Sequence, residues 1–232
     1  MRECLLLELH DRTISYMDGL KLQKKAYELV IMNNLPGVLI LLRHSPVITI
    51  GKSGGLENLR VSLQDCKKIG IQVHETDRGG NITFHGPGQL IGYPILNLEY
   101  WKKDLHWYVS SIEDLIIDTL RGYGIDAIKK YKYRGVWVED RKIAAIGITI
   151  KKWVTMHGFA IQVNNQSINY FELINPCGIT NCGVISLEDL ISKIEVNTFV
   201  SDIKSSFARN FRCIFDTATF PYSEDVNNDC KA

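Results

Sequence analysis

The sequence lacks long apolar runs and a strong excess of either charge. Its longest apolar stretches, such as residues 38–42, are far shorter than a bilayer requires, so we expect no membrane-spanning helix. Acids stand near the first residues, where a signal peptide needs a continuous apolar region, so the expected location is the cytoplasm. The 232 residues, 45% apolar and 23% charged with a net charge of +1, are ordinary for a globular protein.

Several motifs of metal and nucleotide chemistry are also missing. The six cysteines include no CxxC pair, which argues against a zinc site and against a disulfide framework. Neither GxxxxGK[ST] nor GxGxxG occurs, which weakens an interpretation as a nucleotide-binding enzyme. We therefore expect no metal, no cofactor and no nucleic-acid partner.

Hydrophobic periodicity predicts one α/β (α+β) domain over residues 1–220 and a polar tail over residues 221–232. Short connections late in the chain favour antiparallel pairing, so the expected sheet is mixed, largely antiparallel and flanked by helices. Strands are predicted at 2–10, 38–43, 47–50, 72–75, 90–98, 135–139, 142–150, 154–163 and 212–215. Helices are predicted at 15–33, 63–69, 105–123, near Tyr170, at 186–192 and at 197–210.

A glycine-rich segment over residues 77–94 holds five glycines and two prolines around Arg78 and His85. This composition does not suit a plain strand and predicts a loop. Because glycine lets a ligand approach the main chain closely, the segment is either a binding surface or a long structural turn. His85 is a candidate for proton transfer, although a histidine inside a glycine loop more often pins the loop by hydrogen bonds.

Cys177 stands between a proline and a glycine, at a bend that can expose a thiol. Cys182, five residues on, is the alternative thiol. A nucleophilic thiol needs a base or a cation that favours the thiolate.

Lys142 is the candidate partner for such a thiol. Strand alternation predicts that it shares a face with Ala144, Ile146 and Ile148, where desolvation lowers the pKa of an amine. The alternative is a lysine at a strand end whose ammonium reaches into solvent.

Small residues recur on two adjacent predicted strands. Ala145 and Gly147 share the other face of one strand, and Gly158 and Ala160 share a face of the next. They leave a groove for a flexible alkyl chain or for a packed helix, and the sequence slightly favours the packed helix.

Residues 129–152 carry eight basic and two acidic side chains, a local net charge of +6. A field of that sign steers an acidic protein or an anionic ligand, and the alternative is a solvated rim of strand ends.

At these residues the sequence resembles the lipoyl(octanoyl) transferase family. The resemblance is carried by residues 78–89, 93–94, 141–147, 157–160 and 175–179. Residues 44–51 also resemble an early loop of that family, and the similarity runs from the first strand to about residue 220. Ile185 stands where the family usually has threonine, and Cys182 is an additional thiol.

The resemblance implies a fold shared with lipoate-protein ligases and the catalytic domain of biotin ligases. It also implies an acyltransferase of protein lipoylation, with octanoyl-acyl carrier protein as donor. The implied acceptors are lysines of lipoyl domains in 2-oxoacid dehydrogenase subunits and of the glycine cleavage H protein. A monomer is our default expectation.

The family's residues map onto this chain one by one. Cys177 matches the nucleophile that carries the acyl group as a thioester, and Lys142 matches the lysine that lowers the pKa of that thiol and moves protons. The implied acyl pocket consists of Arg78, Gly79, Gly80, Asn81, Ile82, Thr83, Phe84, His85, Ala145, Ile146, Gly147, Gly158, Phe159 and Ala160.

Two rival functions stay open at this point. One is an ATP-dependent lipoate or biotin ligase on the same fold, which needs no catalytic cysteine. The other is a non-catalytic module that binds acyl-proteins without transferring the acyl group.

Overall fold

The computed structural model describes residues 1–131, 133–175 and 183–220. Lys132, Cys177, Cys182 and the predicted tail lie outside the described residues. The strands are β1 (Arg2–Ile14), β2 (Gly37–His44), β3 (Val47–Ile50), β4 (Gln72–Glu75), β5 (Ile82–His85), β6 (Gln89–Leu96), β7 (Ile128–Lys130), β8 (Tyr133–Val138), β9 (Arg141–Lys151), β10 (Val154–Gln162) and β11 (Cys213–Thr219).

The α-helices are α1 (Tyr16–Met32), α2 (Leu63–Lys68), α3 (Leu105–Arg121) and α4 (Val196–Phe211). Short 3-10 helices cover Leu56–Asn58, Leu98–Tyr100, Asn165–Leu173 and Leu187–Asp189. Within the described residues, no helix is long and apolar enough to cross a membrane.

The main sheet has eight strands in the order β11-β1-β2-β6-β10-β9-β8-β7. Strand β1 runs parallel to β2 and β11, and the other neighbouring pairs are antiparallel. The predicted mixed, largely antiparallel sheet flanked by helices is confirmed. Strand β7 was not predicted, because its three residues offer no alternating pattern.

Helices α3 and α4 cover one face of the main sheet. The Asp104 carboxylate caps α3 by accepting a hydrogen bond from the backbone N–H of Trp107 (3.0 Å). The apolar stripe of α3 is fully buried, as its periodicity predicts, and includes Ile112, Leu115 and Ile116. Each such side chain stabilises the fold by roughly 1.5–3 kcal/mol.

Helix α1 packs on the opposite face of this sheet. Ser15 caps it by accepting from the backbone N–H of Asp18 (3.1 Å), and Leu22, Ala26 and Val30 are buried against the strands. Helix α1 contacts β2, β6 and β10, so it covers only part of its face of the sheet.

A second sheet of three strands, β4-β3-β5, contains part of the glycine-rich segment. Strand β5 pairs antiparallel with β3, so the prediction of an unbroken loop from residue 77 to the strand predicted at residue 90 is wrong. The reason is local: Ile82, Thr83 and Phe84 are strand-forming residues, and the glycines stand on either side of them.

Strand β9 contains a β-bulge that changes the face on which Lys142 lies. Val136 pairs with Ala144 and Trp137 pairs with Lys142, which leaves Ile143 as the extra residue. Ile143 and Ala144 both enter the core beneath α3, so Lys142 lies on the opposite face with Trp137. The prediction that Lys142 shares a face with Ala144, Ile146 and Ile148 is therefore wrong.

Candidate active site

A cavity of about 380 Å³ is lined by β9 and β10 of the main sheet, by the glycine-rich segment and by the start of β8. Its floor is made of small residues on two neighbouring strands. Ala145 pairs directly with Ala160, and Gly147 pairs directly with Gly158. The predicted groove of small residues is thus present, and the part above it is open rather than filled by a helix.

Neither glycine of this floor has room for a side chain. A Cβ atom on Gly147 would stand 2.8 Å from the carbonyl oxygen of Gly79 and 3.2 Å from Cδ of Arg78. A Cβ atom on Gly158 would collide with the carbonyl of Gly92. Gly79 can lie against β9 only because residue 147 is glycine, and β6 can lie this close to β10 at Gly92 only because residue 158 is glycine.

Arg78 holds the wall of the cavity from inside the protein. Its Nε and Nη2 donate to Oγ1 of Thr49 (3.1 and 3.0 Å), and Nη2 also donates to the Thr49 carbonyl (2.6 Å). The same guanidinium reaches the carbonyls of Asn81 (2.8 Å) and Gly79 (3.0 Å). With only 8% of its surface exposed, Arg78 ties β3 to the glycine-rich segment.

His85 is held as a neutral imidazole. Its Nδ1 donates to Oε1 of Gln89 (3.1 Å), whose Nε2 in turn donates to the carbonyl of Phe84 (3.1 Å). Burial disfavours the imidazolium and lowers the pKa of His85 to about 3, and repulsion by His44 and Arg78 adds to this. These hydrogen bonds are those expected if His85 stabilises the conformation of the glycine-rich segment.

Two buried groups support the wall behind His85. The Tyr93 hydroxyl donates to Nε2 of His44 (2.6 Å), and Nδ1 of His44 donates to the carbonyl of Ile14 (2.9 Å). Burial lowers the pKa of His44 to about 4 and raises that of Tyr93 well above its usual value. At neutral pH both groups are therefore uncharged.

His157 lines the cavity at the level of Gly158. Its backbone has a φ of 60°, an uncommon value outside glycine, and its N–H donates to Oε1 of Gln23 (2.8 Å). Nε2 lies 2.8 Å from a carboxylate oxygen of Asp77. Burial lowers the pKa of His157, although Asp77 opposes that effect.

Lys142 lies at the other end of the cavity floor. Its Nζ donates to the carbonyl of Arg134 (3.0 Å) and stands 4.8 Å from the ring centre of Trp137. Both contacts attract an ammonium group. Lys142 is one of the residues that line the cavity.

The backbone of Lys142 also fixes one end of the segment that carries Cys177. Its N–H donates to the carbonyl of Gly183 (2.9 Å), and its carbonyl accepts from Ile185 (3.1 Å). At the other end of that segment, Asn175 donates its N–H to the carbonyl of Asn58 (2.7 Å). Cys177 itself lies outside the described residues, so its distance from Lys142 stays a prediction.

The cavity wall contains most of the predicted pocket residues. Those that line it are Arg78, Gly80, Asn81, Ile82, Thr83, His85, Ala145, Ile146, Gly147, Gly158, Phe159 and Ala160.

Gly79 and Phe84 do not line the cavity, contrary to the prediction. The N–H of Gly79 donates a hydrogen bond to the carbonyl of Ile148 (2.8 Å). The carbonyl oxygen of Gly79 packs against Gly147 in the floor of the cavity. Phe84 is fully buried and stacks on Tyr170 with ring centres 4.9 Å apart. Alternation along β5 directs Phe84 inward and its neighbours Thr83 and His85 to the cavity.

Other cavity residues escaped the sequence analysis. They include Tyr93, Trp137, Gln162 and Phe171. The sequence pattern could have identified Gln162, because it follows Gly158 and Ala160 at the same spacing along β10. Trp137 was not, because only the bulge in β9 brings it beside Lys142. Among the described residues, no cluster of histidine, cysteine and carboxylate side chains is arranged to hold a metal ion.

Known proteins resemble this chain in sequence and in fold. Residues 15–208 match the model of the lipoyl protein ligase A/B catalytic domain. An octanoyltransferase of Clostridium kluyveri is 52% identical, over 94% of this chain and 91% of its own length. The chain belongs to the lipoyl(octanoyl) transferase family. An octanoyltransferase of Thermoanaerobacter is 47% identical over 87% of this chain and 86% of its own length.

Solved structures show how widely the fold is shared. A bipartite lipoate protein ligase of Thermoplasma acidophilum superposes with a TM-score of 0.74 at 18% identity, covering 97% of this chain and 89% of that one. The biotin protein ligase of Aquifex aeolicus gives 0.51 at 14% identity, covering 91% of this chain and 69% of that one. The predicted kinship with both ligase folds is confirmed. Family membership also makes this transferase an enzyme, which removes the non-catalytic module as a rival.

Proposed function

We propose that this enzyme moves an octanoyl group from octanoyl-acyl carrier protein to a lysine of a lipoyl domain, through an acyl thioester on Cys177. The expected acceptors are lipoyl domains of 2-oxoacid dehydrogenase subunits and the glycine cleavage H protein. The catalytic domain is taken as residues 1–220. Cytoplasmic location and a monomeric state stay predictions.

The observation that carries the proposal is the cavity itself. Its floor of Ala145, Gly147, Gly158 and Ala160 leaves an open channel that begins beside Lys142. Burial of an alkyl chain contributes about 0.8 kcal/mol per methylene, so an octanoyl chain in this channel gains several kcal/mol. A pocket of this kind holds the chain and leaves its carbonyl at the end where Lys142 lies.

The first half-reaction needs a thiolate and a proton donor. In the scheme we favour, an ammonium on Lys142 stabilises the thiolate of Cys177. The thiolate attacks the thioester carbonyl of the donor, the new C–S bond forms, and the bond to the donor's sulfur breaks. The departing thiolate takes its proton from Lys142, which becomes neutral.

The second half-reaction restores both groups. The neutral amine of the acceptor lysine attacks the octanoyl-enzyme, a C–N bond forms, and the C–S bond to Cys177 breaks. Lys142 takes one proton from the attacking nitrogen, and Cys177 leaves as a thiolate. No ATP is consumed, because the thioester already supplies an activated acyl group.

The basic stretch over residues 129–152 contributes Arg134 and Lys142 to the wall of the cavity. Some of its charge is neutralised locally. Lys129 pairs with Asp114 (2.7 Å), and Lys130 pairs with Asp140 (2.6 Å). We propose that the stretch guides the acidic protein partners, a role that rests on long-range attraction and is screened by salt.

The direct test uses purified enzyme, octanoyl-acyl carrier protein and an unmodified lipoyl domain, with no ATP. The expected result is a lipoyl domain heavier by one octanoyl group. Lys142→Gln should slow the transfer by a factor of about 100 or more, as expected for the loss of a general acid and base. Lys24→Gln, at an exposed position of α1 outside the basic stretch, is the matched control and should be unaffected. Transfer that requires ATP and free octanoate would instead support the ligase.

A further inference from the structure

The indole of Trp137 is in contact with two ammonium groups at once. Nζ of Lys142 and Nζ of Lys130 each lie 4.8 Å from its ring centre, within the range of a cation–π interaction. Only 1% of Trp137 is exposed, and its Nε1 donates to the carbonyl of Tyr133 (3.0 Å), which restrains the ring. A cation–π interaction is strongest where water is excluded, so this ring is well placed to act on the charge of both lysines.

The side chain of Lys142 is held in place by β8. Trp137 pairs with Lys142 across the two strands because of the bulge in β9. Gly135 leaves room for the aliphatic stem, since a Cβ atom there would stand 3.4 Å from Cε and 3.5 Å from Cδ of Lys142. Nζ then donates to the carbonyl of Arg134 (3.0 Å). Strand β8 thus supplies a carbonyl and a ring face to the same amine.

Lys130 acts through the same ring region with the opposite effect on Lys142. Each nitrogen stands 4.8 Å from one ring centre, so the two ammonium groups are no further apart than twice that distance. Like charges at that range disfavour each other's charged form. The Asp140 carboxylate, 2.6 Å from Nζ of Lys130, offsets part of this repulsion. Trp137 therefore favours the ammonium of Lys142, and Lys130 opposes it.

Other charged and titratable groups lie on the elements packed against Lys142. They are Tyr133 and Arg134 of β8, Glu113 of α3, Arg141 of β9, and Arg78 and His85 across the cavity. Glu113 is buried and accepts from the N–H of Gly135 (3.1 Å), and Arg141 stands 3.9 Å from Glu139. None of these groups is altered in the variants compared below, so they set a common baseline and not the differences.

We propose that Trp137 is a positioning residue of acyl transfer: the face of its indole holds the amine of Lys142 as an ammonium, and Lys130 moderates that hold. The inference rests on the proposed function, in which Lys142 gives a proton to the departing thiolate and later takes one from the attacking amine. An ammonium held too firmly would slow the first transfer, and one held too weakly would leave the thiolate without its counter-charge. The balance between Trp137 and Lys130 keeps the amine able to do both.

The first test measures the charge of Lys142 without using the reaction. The carbon NMR signal of its Cε, assigned through Lys142→Gln, is followed against pH in Cys177→Ser enzyme, where the Cys177 thiol cannot titrate with the amine. Trp137→Leu removes the ring face and should lower the pH at which Lys142 loses its proton by about one pH unit. Tetrafluorotryptophan at position 137 keeps the shape of the ring and weakens its attraction for cations. It should shift the titration in the same direction even if Trp137→Leu fails to fold.

Two further variants set the sign and the background of this titration. Lys130→Met should shift it the other way, by about half a pH unit, because the variant removes a like charge. The matched control is tetrafluorotryptophan at position 153. Trp153 is exposed and contacts a different cation, with Nζ of Lys103 5.9 Å from its ring centre, so the titration of Lys142 should not change.

The second test measures formation of the octanoyl-enzyme against pH by rapid quenching and intact-mass measurement. The ammonium of Lys142 is needed in this step, so the rate should fall on the alkaline side as that group loses its proton. That alkaline limb should move to lower pH in both Trp137 variants and to higher pH in Lys130→Met. A purely structural role of Trp137 would lower the rate at every pH and leave the limb in place.

The inference is overturned if Lys142 titrates at the same pH in the unmodified and the fluorinated enzyme, or if the alkaline limb does not move. If Lys130→Met changes only the salt dependence of transfer, Lys130 serves docking and the role assigned to it here is wrong. If the unmodified enzyme forms no octanoyl adduct, the proposed function fails, while the titration still shows whether Trp137 holds the ammonium.

Discussion

Arg78 offers the sharpest test of how the cavity wall is built. The substitution Arg78→Met keeps the aliphatic length and removes every donor of the guanidinium. Three backbone carbonyls, those of Thr49, Gly79 and Asn81, then lose a charged partner inside the protein. Each loss costs about 1 kcal/mol or more, so the free energy of unfolding should fall by about 3 kcal/mol.

Arg78→Lys separates charge from geometry. The ammonium keeps the charge but cannot span Thr49, Gly79 and Asn81 at once, so we expect most of the same loss. The matched control is Arg121→Met, whose partner Asp118 lies on the surface and whose loss should change stability by less than about 0.5 kcal/mol.

Urea unfolding followed by tryptophan fluorescence measures these differences. Acyl transfer by the folded variants should also slow, because the segment that Arg78 fixes forms one wall of the cavity. If Arg78→Met unfolds at the same urea concentration as the unmodified enzyme, the guanidinium does not hold this wall.

Three further predictions address the floor, the buried histidines and the basic stretch. Gly147→Ala should lower stability by about 1–3 kcal/mol and slow octanoyl transfer, because the added Cβ lies 2.8 Å from the Gly79 carbonyl; unchanged urea unfolding would contradict this. Between pH 6.5 and about 4, a histidine in the unfolded chain is protonated, whereas the buried His44 stays neutral. The free energy of unfolding should therefore fall by up to about 1.4 kcal/mol for each pH unit of acidification. His44→Gln should flatten that decline in pH-dependent urea unfolding, and an unaltered slope would count against a neutral His44. Reversing the charges of Lys129, Lys130 and Lys132 should slow acyl transfer more at low salt than at high salt. The same change at Lys24 and Lys25 of α1 should not slow it. Equal rates at low salt would show that the basic stretch does not guide the protein partners.

The sequence predicted the elements whose patterns are local. The stripe of α3 and the alternation of small residues along β9 and β10 depend on neighbours within a few positions, and the structure confirms both. A groove was expected for the same reason, but the small residues alone slightly favoured a packed helix in it, and the acyl pocket was implied only by the family resemblance.

What the sequence missed depends on non-local register. The bulge at Ile143 is visible only once β8 and β9 are paired, and it alone moves Lys142 to the cavity face. Strand β5 was hidden because its few residues are surrounded by glycine. Gln162 Oε1 is buried without a hydrogen-bond partner among the described residues, and this depends on tertiary packing, which the periodicity of the sequence does not reveal.

We propose that the octanoyl group passes through a thioester on Cys177. Intact-mass measurement of the enzyme after mixing with octanoyl-acyl carrier protein, before any acceptor is added, tests it most directly. We expect an increment of one octanoyl group that is lost in Cys177→Ser and kept in Cys182→Ser. An increment that persists in Cys177→Ser, or the absence of any increment in the unmodified enzyme, would contradict it.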